Sequence, residues 1–191
     1  TEYEKNNILN SIFYAEKIIN GIRVKVSPFP KRDSEAMLYK AKATGNYINS
    51  SLALRDALTS GYDEALILGT DNSVNEGSGE NIFLIKDNKL ITPELLTVLD
   101  GITRKTVIAL ADDLGLETIQ RKVKLEEVFN CDEAFFTGTA AEVTPIIEID
   151  DTKISNGVPG PITKMLQENY FSLIRGTYGK HSKWLTVISD K

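Results

Sequence analysis

The alternation of apolar and polar positions along the chain predicts short strands mixed with helices. Residues 14–20 fit a short helix that Gly21 ends, and Ile22–Val26 alternates apolar with basic residues, as a half-exposed strand does. The two prolines within residues 27–33 remove backbone donors and favour an extended path. This segment is therefore predicted to be a loop that leads towards Lys42.

The rest of the chain continues the same mixture. The predicted elements are, in order, a helix over 47–58 that closes at Gly61, a buried strand over 64–69, a hairpin of strands 81–86 and 89–92, a helix from Thr103 that Gly115 ends, strands near 117–121 and 133–137 with a short helix over 124–129 between them, and a helix after Gly160-Pro161. Asp87 and Asn88 tolerate the positive φ that a two-residue hairpin turn requires. Because strands and helices do not alternate strictly, as they would in a doubly wound sheet, the predicted class is α+β (mixed α/β) with curved sheets.

Two of the predicted helices have a clear apolar face. The helix that starts at Thr103 is expected to bury Val107, Leu110, Ala111 and Leu114. The last helix has proline in its first turn and is expected to turn the following side chains inward: Ile162, Met165, Leu166, Tyr170 and Leu173.

Composition narrows the class of protein. The 191 residues are 41% hydrophobic and 26% charged, which is enough for one substantial core. The formal net charge of -5 and the lack of a Lys/Arg cluster argue against a nucleic-acid surface. The single cysteine, Cys131, cannot form an internal disulfide, and no run of 18 apolar residues or basic leader is present. A cytoplasmic protein that neither binds nor crosses a membrane is expected.

Two blocks of residues contain the chemistry. Lys42-Ala43-Thr44-Gly45-Asn46-Tyr47 is followed 29 positions later by Glu76-Gly77-Ser78-Gly79-Glu80-Asn81. Together they supply an amine nucleophile, a phenol and two carboxylates. A lysine that forms a Schiff base with pyridoxal 5'-phosphate needs an acidic group opposite the pyridine nitrogen and donors for the phosphate.

These blocks, together with Gly101-Ile102-Thr103-Arg104 and Gly138-Thr139-Ala140-Ala141-Glu142-Val143-Thr144-Pro145, resemble the class IV aminotransferases, the fold-type IV pyridoxal phosphate enzymes. The branched-chain amino acid enzymes are the nearest branch of that family. The resemblance runs from about Tyr14 to about Trp184. It implies that residues 1–191 are the large, cofactor-binding C-terminal domain, built on a barrel-like curved sheet with flanking helices. The family's small N-terminal domain is expected to be absent from this chain, and residues 1–13 match poorly.

Lys42 is the predicted catalytic residue. A lysine attacks an aldehyde only when neutral, and its alanine neighbours suit a tight site that favours the neutral amine. The resemblance implies that Lys42 binds the cofactor as a Schiff base and moves the proton between the substrate α-carbon and the cofactor. The alternative is a solvated surface lysine. Nearby Lys40 lies outside the motif register.

Glu76 and Tyr47 are the predicted partners of the cofactor ring. By resemblance, Glu76 faces the pyridine nitrogen and Tyr47 donates to the ring oxygen. The alternatives are a loop carboxylate bonded to the adjacent glycine amides and an aromatic side chain on a helix face. A dinucleotide-binding interpretation of these glycines fails, because the third glycine position falls at Ile82. Glu80 is expected to support the site without touching the cofactor.

The predicted phosphate donors lie at a helix start and at a turn. Ile102 and Thr103 begin a helix, where unpaired amides and the dipole favour an anion, although Thr103 would also serve as an ordinary N-cap. By resemblance, Thr139 binds the phosphate, Thr139 and Ala140 bind the substrate carboxylate, and Leu99 packs against the cofactor ring.

Other chemistries have little support. One cysteine and one histidine cannot form a zinc centre, His181 lies in a polar segment typical of the surface, and a G-x-S-x-G hydrolase motif is absent. Only the position of Thr1 suggests an N-terminal nucleophile. The predicted function is transamination of branched-chain amino acids with 2-oxoglutarate, by a homodimer or higher homo-oligomer. The alternatives are a D-amino acid aminotransferase, an aminodeoxychorismate lyase, or a non-catalytic fragment of this fold.

Overall fold

One mixed sheet organises the part of the chain that the computed structural model describes, namely residues 15–31, 41–96 and 98–186. Its nine strands are β1 (Ile22–Val26), β2 (Glu64–Leu68), β3 (Val74–Gly77), β4 (Asn81–Lys86), β5 (Lys89–Thr92), β6 (Thr118–Gln120), β7 (Glu133–Gly138), β8 (Glu142–Ile149) and β9 (Thr152–Lys153). The helices are α1 (15–20), α2 (Ile48–Thr59), α3 (Ile102–Asp113), α4 (Leu125–Phe129) and α5 (Pro161–Ile174), with 3₁₀ turns at Thr44–Tyr47 and Ser182–Trp184.

The sheet closes on itself. Its strand order is β3-β2-β1-β8-β7-β4-β5-β6, and an additional pairing of β3 with β4 joins Glu76 to Asn81. This pairing completes a ring of β3, β2, β1, β8, β7 and β4, from which β5 and β6 extend to an edge. Strand β1 runs parallel to both β2 and β8, while β4, β7 and β8 are antiparallel. The predicted mixed class with a barrel-like sheet is confirmed.

The two faces of the ring pack differently, as strand β4 illustrates. Ile82 and Leu84 belong to a cluster to which all six ring strands contribute, whereas Phe83 and Ile85 pack with α3 and α5. Successive side chains of a strand point to opposite faces, so a continuous apolar run serves both clusters. Phe83 stacks on Phe135 of β7 with ring centroids 5.1 Å apart. Helices α3 and α5 therefore lie against the outer face of the ring.

The structure corrects three details of the predicted elements. Strand β3, which carries Glu76, is absent from the predicted elements; it forms because pairing with β2 and β4 outweighs a local sequence of low strand propensity. Strand β8, with Pro145 inside it, is absent from the predicted elements. Leu114 follows the end of α3 and is exposed, so it is not part of the buried face.

Some predictions lie outside the described residues: those on Thr1, Tyr14 and Lys40, on the poorly matched segment 1–13, and on residues 32–33 of the loop. Within the described part, no helix is both long and apolar enough to cross a membrane.

Candidate active site

Glu76 lies where the ring of strands closes, and both of its carboxylate oxygens have donors. Oε2 accepts a hydrogen bond from the backbone N–H of Leu99 at 3.0 Å. Oε1 forms an ion pair with Lys31 Nζ. The Glu76 side chain is only 14% exposed, so these two contacts fix its position.

Lys31 is not among the site residues predicted from the sequence. Its backbone N–H donates to Leu68 O at 2.7 Å, and Lys31 forms an isolated parallel bridge with Gly69, which aligns it with the end of β2. The side chain is 12% exposed. The only signal in the sequence is a basic residue in a proline-containing segment that is predicted to lead towards Lys42. Its partner, Glu76, is 45 positions away, so no local pattern connects the two.

Asn81 orients the segment that begins helix α3. Its side-chain Nδ2 donates to Leu99 O at 2.8 Å, and the Gly101 N–H donates to the same oxygen at 2.9 Å. A Cβ atom at Gly101 would collide with Asn81 Oδ1. Because the Leu99 N–H also holds Glu76, Asn81 couples the position of the carboxylate to the start of α3.

The first turn of α3 presents its backbone amides without a side-chain cap among the described residues. The N-cap is Gly101, so the expectation that Thr103 would also serve as an N-cap is wrong. The Thr103 hydroxyl instead lies near the phenol of Tyr170, and Thr103 is buried. Ile102 is 80% exposed. The uncapped amides at this helix start are suited to an anion.

The structure brings Tyr47 into the electrostatic range of the acidic residues on and after β3. Tyr47 ends the 3₁₀ turn that precedes α2. Burial raises the pKa of its phenol above the ordinary value, and the charges of Glu76 and Glu80 add to this effect. Lys42, two residues before the turn, and its neighbours Ala41 and Ala43 are all exposed, so the described residues do not form the predicted tight site around this lysine. No contact joins its side chain to the other predicted site residues among those described.

The turn between β7 and β8 lies against the same region. Thr139 and Ala140 are exposed there. A Cβ at Gly138 would lie 3.5 Å from both Glu80 Cγ and Gly79 O, so the turn is close to the segment that joins β3 and β4. Thr144 Oγ1 donates to Ala141 O at 2.6 Å and holds the turn in shape.

Glu80 and Glu64 line a cavity of about 100 Å³ beside this turn, together with Ala140 and Ala141. Burial, followed by the charge of Glu64, raises the pKa of Glu80 to about 7, although the Gly79 N–H donates to its Oε2 at 2.8 Å. Burial also raises the pKa of Glu64, against a hydrogen bond from the Ala65 N–H at 2.7 Å. The site therefore contains two partly buried carboxyl groups whose surroundings disfavour the ionised form.

These contacts assemble most of the predicted residues in one region. Strand pairing and hydrogen bonds connect Glu76, Leu99 and the helix start at Ile102. The Thr139 turn and Tyr47 both lie near Glu80. The arrangement offers a fixed carboxylate, a phenol, an exposed amine nearby in sequence and two groups of backbone donors. It can bind a phosphorylated small molecule that also carries a basic ring nitrogen.

Comparison with known proteins gives the class. The family model for amino-transferase class IV matches residues 6–149. The chain therefore belongs to the class IV aminotransferases.

The names of individual relatives specify a substrate class within this family. The branched-chain-amino-acid aminotransferase of Pseudomonas aeruginosa is 46% identical over 173 residues, which are 91% of this chain and 56% of that protein. A probable branched-chain-amino-acid aminotransferase of Aquifex aeolicus is 50% identical over 173 residues, or 90% and 56% of the two chains. This chain thus spans about half the length of the curated relatives it matches.

Solved structures agree with the fold. The branched-chain aminotransferase of the thermophilic archaeon Thermoproteus uzoniensis superposes with a TM-score of 0.85 at 44% identity, covering 89% of this chain and 56% of that chain. The Escherichia coli branched-chain amino acid aminotransferase superposes with a TM-score of 0.87 at 37% identity, covering 89% and 56%.

Proposed function

We propose that this chain is the cofactor-binding part of a pyridoxal-phosphate-dependent aminotransferase that acts on branched-chain amino acids with 2-oxoglutarate as acceptor. The observation that carries the proposal is Glu76, a nearly buried carboxylate held on both oxygens beside a helix start whose amides have no side-chain cap. Relatives described as branched-chain aminotransferases support the substrate class. Related structures with pyridoxamine 5'-phosphate and in the PLP form support the cofactor.

The donor set of this chain fits the two ends of such a cofactor. The first-turn amides of Ile102 and Thr103 and the exposed turn at Thr139 suit the phosphate. The Glu76 carboxylate is a suitable acceptor for the protonated ring nitrogen, and the Tyr47 phenol is a suitable donor to the ring oxygen. When bound, the cofactor supplies an electron sink for the carbanion left after the α-proton departs.

Each proposed role follows from the chemistry of the side chain. The Lys42 amine binds the cofactor covalently and, when released, takes the proton from the substrate α-carbon. Glu76 keeps the ring nitrogen protonated, and Leu99 packs against the ring. The Thr139 and Ala140 amides orient the substrate carboxylate, which positions the α-proton for Lys42.

The remaining proposals concern the whole protein. Because this chain covers 56% of its relatives' length, we propose that it corresponds to their large C-terminal domain and that a small N-terminal domain completes the active site. A homodimer or higher homo-oligomer in the cytoplasm is the proposed working state.

The direct test is chemical trapping. The chain is incubated with pyridoxal phosphate, reduced with borohydride and mapped by peptide mass spectrometry. The pyridoxyl group is expected on Lys42 and is expected to disappear in Lys42→Ala. Lys31 and Lys40 provide internal controls, since both are amines near the motif. An adduct on either of them in the wild-type chain, or none after cofactor binding, would remove Lys42 from its role.

Substrate class is tested by a single half-reaction. Cofactor absorbance is followed after mixing with L-leucine, with D-alanine or with no amino acid. Conversion by L-leucine at least ten-fold faster than by D-alanine supports the branched-chain assignment over the D-amino acid alternative. Equal rates would contradict it, and a chain that binds cofactor without conversion by either would support a non-catalytic fragment.

A further inference from the structure

A groove of about 720 Å³ lies between helix α3, the edge strand β6 and the segment that precedes α3. Its apolar wall includes Leu95, Ile108 and Leu116. The groove shares none of its lining residues with the cofactor and substrate residues proposed above. Its volume is sufficient for a small organic ligand.

Arg104 is a buried cation at one end of this groove. The side chain is 2% exposed, and its Nη2 donates to Pro93 O at 3.0 Å and to Gln120 Oε1 at 2.9 Å. Its Nε has no hydrogen-bond partner among the described residues, and the partners of Nη2 are neutral. Burial lowers the pKa of the Arg104 guanidinium more than the charge of Asp100 raises it, so a ligand carboxylate here would be stabilised.

Two buried oxygen atoms that line the groove with Arg104 also lack hydrogen-bond partners among the described residues. Asp100 Oδ1 and Thr118 Oγ1 are buried and make no hydrogen bond within the described part of the chain. Both residues line the groove with Arg104. Asp100 Oδ2 is paired with Lys105 Nζ at 2.6 Å, and Lys105 is 61% exposed, so its side chain can move away from the groove mouth. Unsatisfied buried polar atoms are uncommon in folded proteins, and three in one groove indicate unmet ligand contacts.

The charges of the lining select the ligand class. Two cations, Arg104 and Lys105, face three carboxylates at Asp100, Asp112 and Glu117, so a simple anion would be repelled. The charge of Asp100 acts on the Arg104 guanidinium, so an acceptor and a donor lie within reach of one small molecule. A ligand with an anionic and a cationic group on the same carbon meets both requirements.

We propose that this groove is a second, non-catalytic site for a free α-amino acid with an aliphatic side chain. The ligand carboxylate accepts from Arg104 Nε and from Lys105 once this lysine leaves Asp100. The ligand ammonium donates to Asp100 Oδ1 and Thr118 Oγ1. The aliphatic side chain packs along Ile108 and Leu116.

The site has a route to the candidate active site. Asp100 lies between Leu99, whose N–H holds Glu76, and Gly101, the N-cap of α3. A ligand bound to Asp100 therefore affects the positions of both Leu99 and the start of α3. By thermodynamic linkage, the cofactor and the amino acid must then change each other's affinity by the same factor. This consequence rests on the proposed function, whereas binding to the groove does not.

Binding is tested without activity. Cofactor-free protein is titrated with L-leucine, L-leucinamide and 4-methylpentanoate, while backbone amide resonances are followed by NMR. Saturable binding of L-leucine is expected, with shifts concentrated in residues 104–112 and 118–120. Leucinamide lacks the carboxylate and 4-methylpentanoate lacks the ammonium, so each should bind at least ten-fold more weakly. Equal affinity for all three, or no leucine binding at about 10 mM, would overturn the proposal.

Two variants separate the groove from the candidate active site. Ala109→Trp fills the groove from a half-exposed position on α3 and should weaken leucine binding at least ten-fold while leaving the urea midpoint unchanged. Ala140→Trp obstructs the turn proposed for the substrate carboxylate and should leave leucine binding unchanged. The reverse pattern would place the bound leucine in the candidate active site. Failure of the Lys42 trapping experiment would leave this test unaffected.

Discussion

Lys31 Nζ and Glu76 Oε1 form an ion pair that joins the segment after β1 to the point where β3 and β4 close the ring of strands. The two side chains are 12% and 14% exposed, so the pair lies largely out of water. Removing one partner of such a pair leaves an uncompensated charge, which is more damaging than removing both.

A double-mutant cycle on stability tests this pair. Lys31→Met is expected to lower the free energy of unfolding by about 3–5 kcal/mol because Glu76 then lacks its cation. In the Lys31→Met/Glu76→Gln double variant the two losses should not add, with a coupling energy of about 1–3 kcal/mol measured by urea denaturation.

The exposed pair of Lys89 and Glu117 provides the control for the cycle, since its side chains are 45% and 60% exposed. Lys89→Met and Glu117→Gln should couple by less than about 1 kcal/mol. A buried pair that couples no more strongly than this exposed one would contradict the role given to Lys31.

We predict that position 101 tolerates only glycine, and that the reason is steric. Its φ of -66° and ψ of 141° suit alanine, but a Cβ there would collide with Asn81 Oδ1. Gly101→Ala should therefore lower stability by about 1–3 kcal/mol and weaken cofactor binding at the start of α3. Urea denaturation and a pyridoxal phosphate titration measure the two effects.

Two further variants isolate the clash. Gly179 has open space where a Cβ would be placed, so Gly179→Ala should change neither quantity. In an Asn81→Ala background, Gly101→Ala should lose most of its cost. If the penalty persists without the Asn81 side chain, the steric explanation is wrong.

Glu80 should make stability fall as pH rises. Its pKa in the folded state is about 7 against an ordinary value of 4.5, because of burial and the charge of Glu64. Below pH 4.5 the carboxyl is protonated in both states and imposes no penalty. Between pH 4.5 and 7 the unfolded chain releases the proton first, so the free energy of unfolding decreases, by at most about 3 kcal/mol.

Replacing the carboxyl checks this pH dependence. Cofactor-free Glu80→Gln should lose less stability than wild type between about pH 5 and pH 8 in urea denaturation, since the amide does not ionise. Glu168→Gln, at an exposed position of α5, should follow the wild-type profile. A Glu80→Gln profile parallel to wild type would exclude Glu80 as the titrating group.

Cys131 should report unfolding. It is the single cysteine of the chain, it is buried, and burial raises the pKa of its thiol to about 12. Since the thiolate is the reactive form, a disulfide reagent such as dithiobis-nitrobenzoate at neutral pH should react only as the protein opens. A Cys131→Ser/Ser182→Cys variant carries its thiol at an exposed position and should react at once. Equally rapid reaction of the folded wild-type protein would contradict the burial of Cys131.

The sequence by itself determined the elements whose signals are local. Asp87 and Asn88, which have φ of 51° and 60°, predict the hairpin of β4 and β5, and the apolar faces of α3 and α5 predict those helices. Four motifs in a consistent order also indicate the family, because the chemistry of a cofactor site restricts residue types at fixed spacings. The motifs alone therefore point to Lys42, Glu76, Ile102 and Thr139, although they give no distance between these residues.

Only the tertiary structure decided what lies between those motifs. The ring closes through Glu76 and Asn81, Lys31 meets Glu76 across 45 positions, and Glu80 is near Glu64 across the strands. None of these contacts follows from local propensity, because each depends on strand pairing and burial that bring distant residues together. Glu76 is a strand residue for the same reason, since its backbone partners belong to β2 and β4.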